Sequence, residues 1–259
     1  MQKAPRIGVC LSGGGARGIA HIGVLQALES AGIIPFAISG CSAGAMVGAL
    51  YAAGLPPRQI FSVIEKKSIY SIIKMGLPDK GMMELGYFRK VLTDNITNDS
   101  FESLQKPFFI SVTNLNTGAA EIIGSGKLID PVIASQSIPL VFKPQRIGEH
   151  LYVDGGVLNN LPIEPLQDIC DVIIGVNVTP VRYAENISGM RDVGYRVLNL
   201  TLMQNMASRL AQCDFVIEPD TGGYTIFDIT KSKIIYDAGY EAALPIAEEI
   251  VNKHFLNTK

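Results

Sequence analysis

The chain has 259 residues, 47% of them hydrophobic and 18% charged, with a formal net charge of −2. A chain of this size forms one large domain or two small ones and buries roughly 70–75% of its extended surface, so a full core is available without disulfide or metal staples. A charge this close to neutral gives no reason to expect nucleic acid as a partner.

The four cysteines, at 10, 41, 170 and 213, are widely spaced and three of them sit in or beside apolar strand-like runs. They read as reduced thiols of a cytosolic protein, and the three scattered histidines have no metal-ligand spacing. Too few apolar residues precede the first glycines for a secretory signal.

In chain order, the first expected strand is Ile7–Leu11, followed by the turn SGGGARG and a helix over 19–31 with Ile22, Leu25 and Leu28 on one face. Residues 31–57, AGIIPFAISGCSAGAMVGALYAAGLPP, carry no charge. They exceed the roughly 20 apolar residues of a bilayer helix, and Gly40, Gly44 and Gly48 have the GxxxG spacing of packed membrane helices. Pro35 and the glycines at 32, 40, 44 and 54 nevertheless cut the run into pieces too short to span. Of these, 33–38 suits a short buried strand and 43–53 a helix packed on all sides, so the expectation is strand, sharp turn and helix.

Residues 57–100 are more polar and read as helical. PFFISVTNLNTGAAEII then gives two strands around a turn at Asn116, Thr117 and Gly118. KLIDPVIASQSIP is a helix ending in a loop, and QRIGEHLYVDGG is a hairpin around Gly148 that leads to a glycine turn. DVIIGVNV and DFVIEP are further strands, and residues 231–253 form a closing helix. This alternation predicts an α/β fold of three layers, with helices on both faces of a mostly parallel central sheet.

Gly13, Gly15 and Gly18 match GxGxxG between a strand and a helix, the setting of a dinucleotide site. That reading needs an Asp or Glu about 20 residues on to hold a ribose. The end of the second strand offers Ile38, Ser39, Gly40 and Cys41 instead, and no GK[ST] follows to make a P-loop. What remains is a set of backbone N–H groups at a helix N-terminus, able to stabilise negative charge.

Gly40-Cys41-Ser42-Ala43-Gly44 is a GxSxG between the second strand and its helix. A tight turn of this kind lifts the serine above the sheet in a strained conformation, and a side chain at either glycine would strike neighbouring backbone. A helix-capping serine is the plainer alternative. Cys41 occupies the variable position, expected to point away from the site. A serine nucleophile needs a base. His254 has the chain order of the α/β-hydrolases but lies at the end of the last helix, where a solvated histidine is the simpler reading. His21 falls one turn into the first helix and His150 in a hairpin turn. The other candidate is Asp154, which follows an apolar strand and precedes two glycines; an ordinary turn has the same pattern.

At these residues the chain resembles the patatin-like phospholipases, serine lipid acyl hydrolases with a Ser–Asp dyad. The matching blocks are GGGARG at 13–18, GCSAG at 40–44, ASQSIPLVF at 134–142 and DGGVLNNLP at 154–162, in order and across most of the chain. It is most similar to the short bacterial members. The resemblance implies a three-layer α/β/α fold and a single catalytic domain over 1–259. It also implies Ser42 as nucleophile, Asp154 as base, and the backbone N–H groups around Gly13, Gly14 and Gly15 as oxyanion hole. Arg17 then holds the loop or an anionic headgroup, or is simply a surface cation at a helix start. The substrate is a lipid or acyl ester, with no cofactor and no metal. Asn159, Asn160 and Pro162 shape the turn behind Asp154.

Residues 65–88 mix Ile69, Ile72, Ile73 and Met75 with Lys66, Lys67, Lys74 and Lys80. That pattern fits a peripheral contact with an anionic membrane as well as a helix packed over the site. A Ser–His–Asp esterase using His254 and a non-catalytic lipid binder are the competing readings. The oligomeric state is not encoded in any motif.

Overall fold

The computed structural model describes residues 4–65, 85–139, 141–180, 183 and 187–256. Most of the stretch read as a membrane contact, residues 66–84, lies outside these.

Five strands run parallel in the order β3 (Phe108–Asn114), β2 (Ala37–Gly40), β1 (Ile7–Leu11), β7 (Val172–Val176) and β8 (Phe215–Ile217). Three more, β4 (Ala119–Ile123), β5 (Gln145–Ile147) and β6 (His150–Asp154), join antiparallel at the β3 end. The central strands β2, β1 and β7 are buried at every position because both faces are covered. Ile7, Val9 and Leu11 enter the larger core, with α1 (Ile19–Ser30), α2 (Ala43–Ala52), α3 (Pro57–Glu65), α4 (Gly86–Asn95), α5 (Ile129–Ser135) and α8 (Ser232–Val251). Cys10, on the alternate face, enters a second core with α6 (Glu164–Gln167) and α7 (Met190–Leu210). Two apolar faces of one sheet therefore give the expected three layers.

The uncharged run of residues 31–57 is strand, turn and helix, as its glycines and proline predict. Its strand starts later than expected. Residues 33–36 lie outside β2, and Phe36 is exposed, with the Arg6 guanidinium 5.8 Å from its ring centroid. Among the described residues, no helix is long and apolar enough to cross a membrane.

One detail of the register positions the site. Val112 of β3 pairs with both Glu121 of β4 and Asp154 of β6, and Ile110 pairs with both Ile123 of β4 and Gly40 of β2. A strand has two edges, so β2 and β6 must share the one that β4 leaves open. They run toward each other along it and stop at Gly40 and Asp154, with Ser111 of β3 opposite the gap. The chain that leaves β2 and the chain that leaves β6 thus emerge at the same point.

Candidate active site

The turn out of β2 is tight. Cys41 N–H donates to the Leu11 carbonyl at 3.0 Å, and the Cys41 carbonyl already accepts from Gly44 and Ala45 N–H at 2.8 and 3.2 Å. Ser42, at the apex, has φ 51° and ψ −120°, the only positive φ outside glycine among the described residues. Holding a residue there costs on the order of 1–3 kcal/mol and persists only when the surroundings impose it. The flanking glycines make room: a Cβ on Gly40 would lie 2.6 Å from the Gly44 carbonyl oxygen, and one on Gly44 would strike the Leu11 carbonyl. Ser42 does not cap its own helix, which leaves the hydroxyl free for other partners.

Asp154, at the end of β6, is 6% exposed, and Ser42 is 5% exposed. The Asp154 Oδ1 accepts the Gly156 N–H at 2.8 Å and the Cys41 thiol at 3.6 Å. Burial raises its pKa from 3.8 to about 6, against the pull of hydrogen bonds from the Ser42 hydroxyl, the Gly156 N–H and the Cys41 thiol. Ser42 and Asp154 border the same cavity, and the carboxyl is ionised at neutral pH while remaining a stronger base than an exposed aspartate. Cys41 departs from expectation. It lines neither cavity described below, but it points to Asp154 rather than away from it. Burial, then the adjacent carboxylate, lift the thiol well above its ordinary pKa, so it acts as a donor and not as a thiolate.

The glycine loop is pinned by hydrogen bonds on either side of Gly14 and Gly15. Ser12 N–H reaches the Val176 carbonyl at 3.1 Å, Ala16 N–H the Ile226 carbonyl at 2.9 Å, and Arg17 Nε the Gly14 carbonyl at 3.3 Å. Arg17 is buried, not a surface cation. The Gly13 N–H, expected among the free donors, goes to Asn160, whose Oδ1 and carbonyl lie at 3.1 and 3.3 Å. The N–H groups of Gly14 and Gly15 make no hydrogen bond to the described residues. Gly15 has φ +58°, the left-handed conformation that favours glycine.

None of the three histidines accompanies Ser42. His21 is buried with Nε2 donating to the Ser12 carbonyl at 2.8 Å, and burial lowers its pKa to about 4, so it is a neutral strut beneath the glycine loop. His150 Nδ1 pairs with Asn114 at 2.8 Å in the β5–β6 hairpin. His254 is half-buried rather than solvated, edge-on to Phe215 of β8 with ring centroids 6.1 Å apart. Phe215 aligns through Ile174 and Val9 with Ile38 of β2, three strand spacings or roughly 14 Å away. That removes the Ser–His–Asp triad.

Two cavities meet at Ser42. One, of about 120 Å³, is walled by apolar side chains that include Ile19, Met46, Val47, Phe88 and Val91. The other, of about 40 Å³, contains the Gly13–Gly15 backbone, Arg17, Asp154 and Asn160. Gly15, Ser42, Ile138 and Ile226 border both. Among the described residues no cluster of His, Cys, Asp or Glu has the makings of a metal site.

Sequence reasoning missed several supports. Asn160 holds Gly13, and Asn205 of α7 ties the turn after Asp154 to the same point: it accepts Asn160 N–H at 3.3 Å and donates to the Gly156 carbonyl at 3.0 Å. Ser135 Oγ accepts the Ser42 N–H at 2.8 Å. Only the repetition of Asn at 159 and 160 and of Ser at 135 and 137, in apolar surroundings, hinted at buried polar work.

A mixed α/β sheet thus carries a strained serine, a buried carboxyl and an apolar cavity at its strand ends. The model of the patatin-like phospholipase family matches residues 9–166, and the chain belongs to that family. It is 27% identical over 296 residues to lysophospholipase nte1 of Aspergillus fumigatus, covering 95% of this chain and 19% of that protein. Against lysophospholipase NTE1 of Cryptococcus neoformans the identity is 34% over 202 residues, covering 71% of this chain and 12% of that protein. The chain thus spans a fifth or less of these fungal relatives. Its fold is also similar to that of VipD from Legionella pneumophila, with a TM-score of 0.55 and 16% identity over 95% of this chain and 67% of that one.

Proposed function

We propose that the chain, acting as one catalytic domain, hydrolyses fatty-acyl esters of single-chain lipids such as lysophospholipids through an acyl-enzyme on Ser42. Asp154 accepts the hydroxyl proton as Ser42 attacks the ester carbonyl. The Gly14 and Gly15 amides receive the oxyanion, each worth on the order of 3 kcal/mol in the transition state. Gly13 and Arg17 hold the loop that presents them. The acyl chain fills the apolar cavity, the leaving alcohol takes the proton back from Asp154 and departs across the polar one, and water activated by the regenerated carboxylate then releases the fatty acid and restores Ser42. Such a substrate brings the enzyme into at least peripheral contact with a lipid surface.

The observation that carries this reading is the position of Ser42: a strained serine at the junction of an apolar cavity and a polar one that Asp154 also lines. A base with a pKa near 6 also explains how the chemistry proceeds without histidine. The test is labelling with a fluorophosphonate and turnover of a p-nitrophenyl acyl ester, for wild type and Ser42→Ala. Wild type should label once and Ser42→Ala not at all; continued hydrolysis by the alanine variant would overturn the assignment.

A further inference from the structure

The two serines of the block ASQSIPLVF have no part in the mechanism above, yet they hold the backbone of both reactive residues. Ser135 is fully buried. Its Oγ accepts the Ser42 N–H at 2.8 Å and donates to the Ser111 carbonyl at 2.8 Å. Ser111 is the residue of β3 opposite the gap between the ends of β2 and β6. The Ser135 hydroxyl is therefore inserted into the ladder where β2 has left β3, as a bridge between the nucleophile's backbone and the strand. Two residues further on, the Ser137 carbonyl accepts the Asp154 N–H at 3.0 Å. One short segment grips the nucleophile through a side chain and the base through the main chain.

Ser42 needs such a grip. Its φ of 51° is unfavourable for a residue with a Cβ, and its side chain gives its own helix no cap to hold it there. Among the described residues, its N–H donates only to the Ser135 hydroxyl oxygen. Resting on the proposed Ser42 chemistry, we infer that Ser135 is a positioning residue: its hydroxyl locks Ser42 in the left-handed pose and registers it against β3, the strand whose Val112 pairs with Asp154. With the hydroxyl removed, the buried Ser42 N–H has no acceptor and the turn relaxes toward ordinary geometry, which moves the Ser42 oxygen off line. A displacement of this kind costs up to about 100-fold in rate without weakening substrate binding.

The test uses Ser135→Ala and the near-isosteric Ser135→Cys, whose sulfur is a poor acceptor. For each, fluorophosphonate labelling gives both an end-point stoichiometry and a rate constant per labelled site, and ester hydrolysis gives kcat and KM. The expected result is full stoichiometry, labelling and kcat reduced about 10- to 100-fold in Ser135→Ala, an intermediate loss in Ser135→Cys, and KM within about twofold. A merely structural role would lower stoichiometry and leave the per-site rate untouched. Wild-type labelling rates in Ser135→Ala overturn the inference; if that chain does not fold, a wild-type rate in Ser135→Cys does so. Failure of wild type itself to label would instead overturn the Ser42 assignment.

Discussion

Replacing Asp154 by asparagine isolates the free-energy cost of a buried, ionised base. Folding raises the carboxyl from 3.8 to about 6, chiefly through burial. Because the folded value lies above the unfolded one, the protonated carboxyl is the form that folding favours. Its contribution is complete below pH 3.8 and is lost as the pH climbs through about 6. The interval corresponds to about 3 kcal/mol. Asparagine is neutral throughout, has nearly the same volume and retains an oxygen for the Gly156 N–H that lies at 2.8 Å in wild type. Urea unfolding of wild type and Asp154→Asn, repeated from about pH 4 to about pH 8, should show the variant gaining on wild type by on the order of 3 kcal/mol, with the gain complete above about pH 7. Other titrating groups cancel in the difference. A difference that stays flat or falls with pH would show that Asp154 does not bear a buried charge, and the proposed base would go with it.

Two further outcomes test neighbouring parts of the site. The Cys41 thiol lowers the Asp154 pKa by donating to it, so Cys41→Ala should move the acidic limb of the kcat/KM profile to higher pH, and Cys41→Ser, with a stronger donor, should not. Val47 lines the apolar cavity, and added bulk in a filled space costs about 1–3 kcal/mol. Val47→Phe should therefore lower kcat/KM for a dodecanoyl ester about tenfold or more while leaving an acetyl ester within about threefold; equal loss on both esters would mean that the chain does not lie there.

The residues that chemistry constrains by type were legible in the sequence. Gly40 and Gly44 announce a turn in which no side chain fits, and Pro35 with its surrounding glycines rules out a membrane span. The hairpin around Gly148 and the turn at residues 116–118 carried their own signals. What stayed hidden depends on register and direction. The run 33–38 has strand composition, yet Ile34 is 55% exposed and Phe36 40%, because the backbone joins the sheet only from Ala37. Helix α7 escaped notice because Met190, Val193, Val197 and Leu200 face outward, which blurs its amphipathic period. That Cys41 would reach Asp154, or that Asn160 would take the Gly13 amide, follows from two strands ending opposite each other, a fact about pairing that no local pattern contains.

That opposition has an evolutionary consequence. Cys41 and Asp154 stand 113 positions apart in the chain, yet the turns that hold Ser42 and Asp154 are both measured off one strand, a residue to either side of Ser111. Much of the intervening polypeptide can be lengthened, trimmed or rewritten without disturbing that spacing. A lineage is thereby at liberty to remodel the walls of the cavities while inheriting intact the opposition of Ser42 and Asp154.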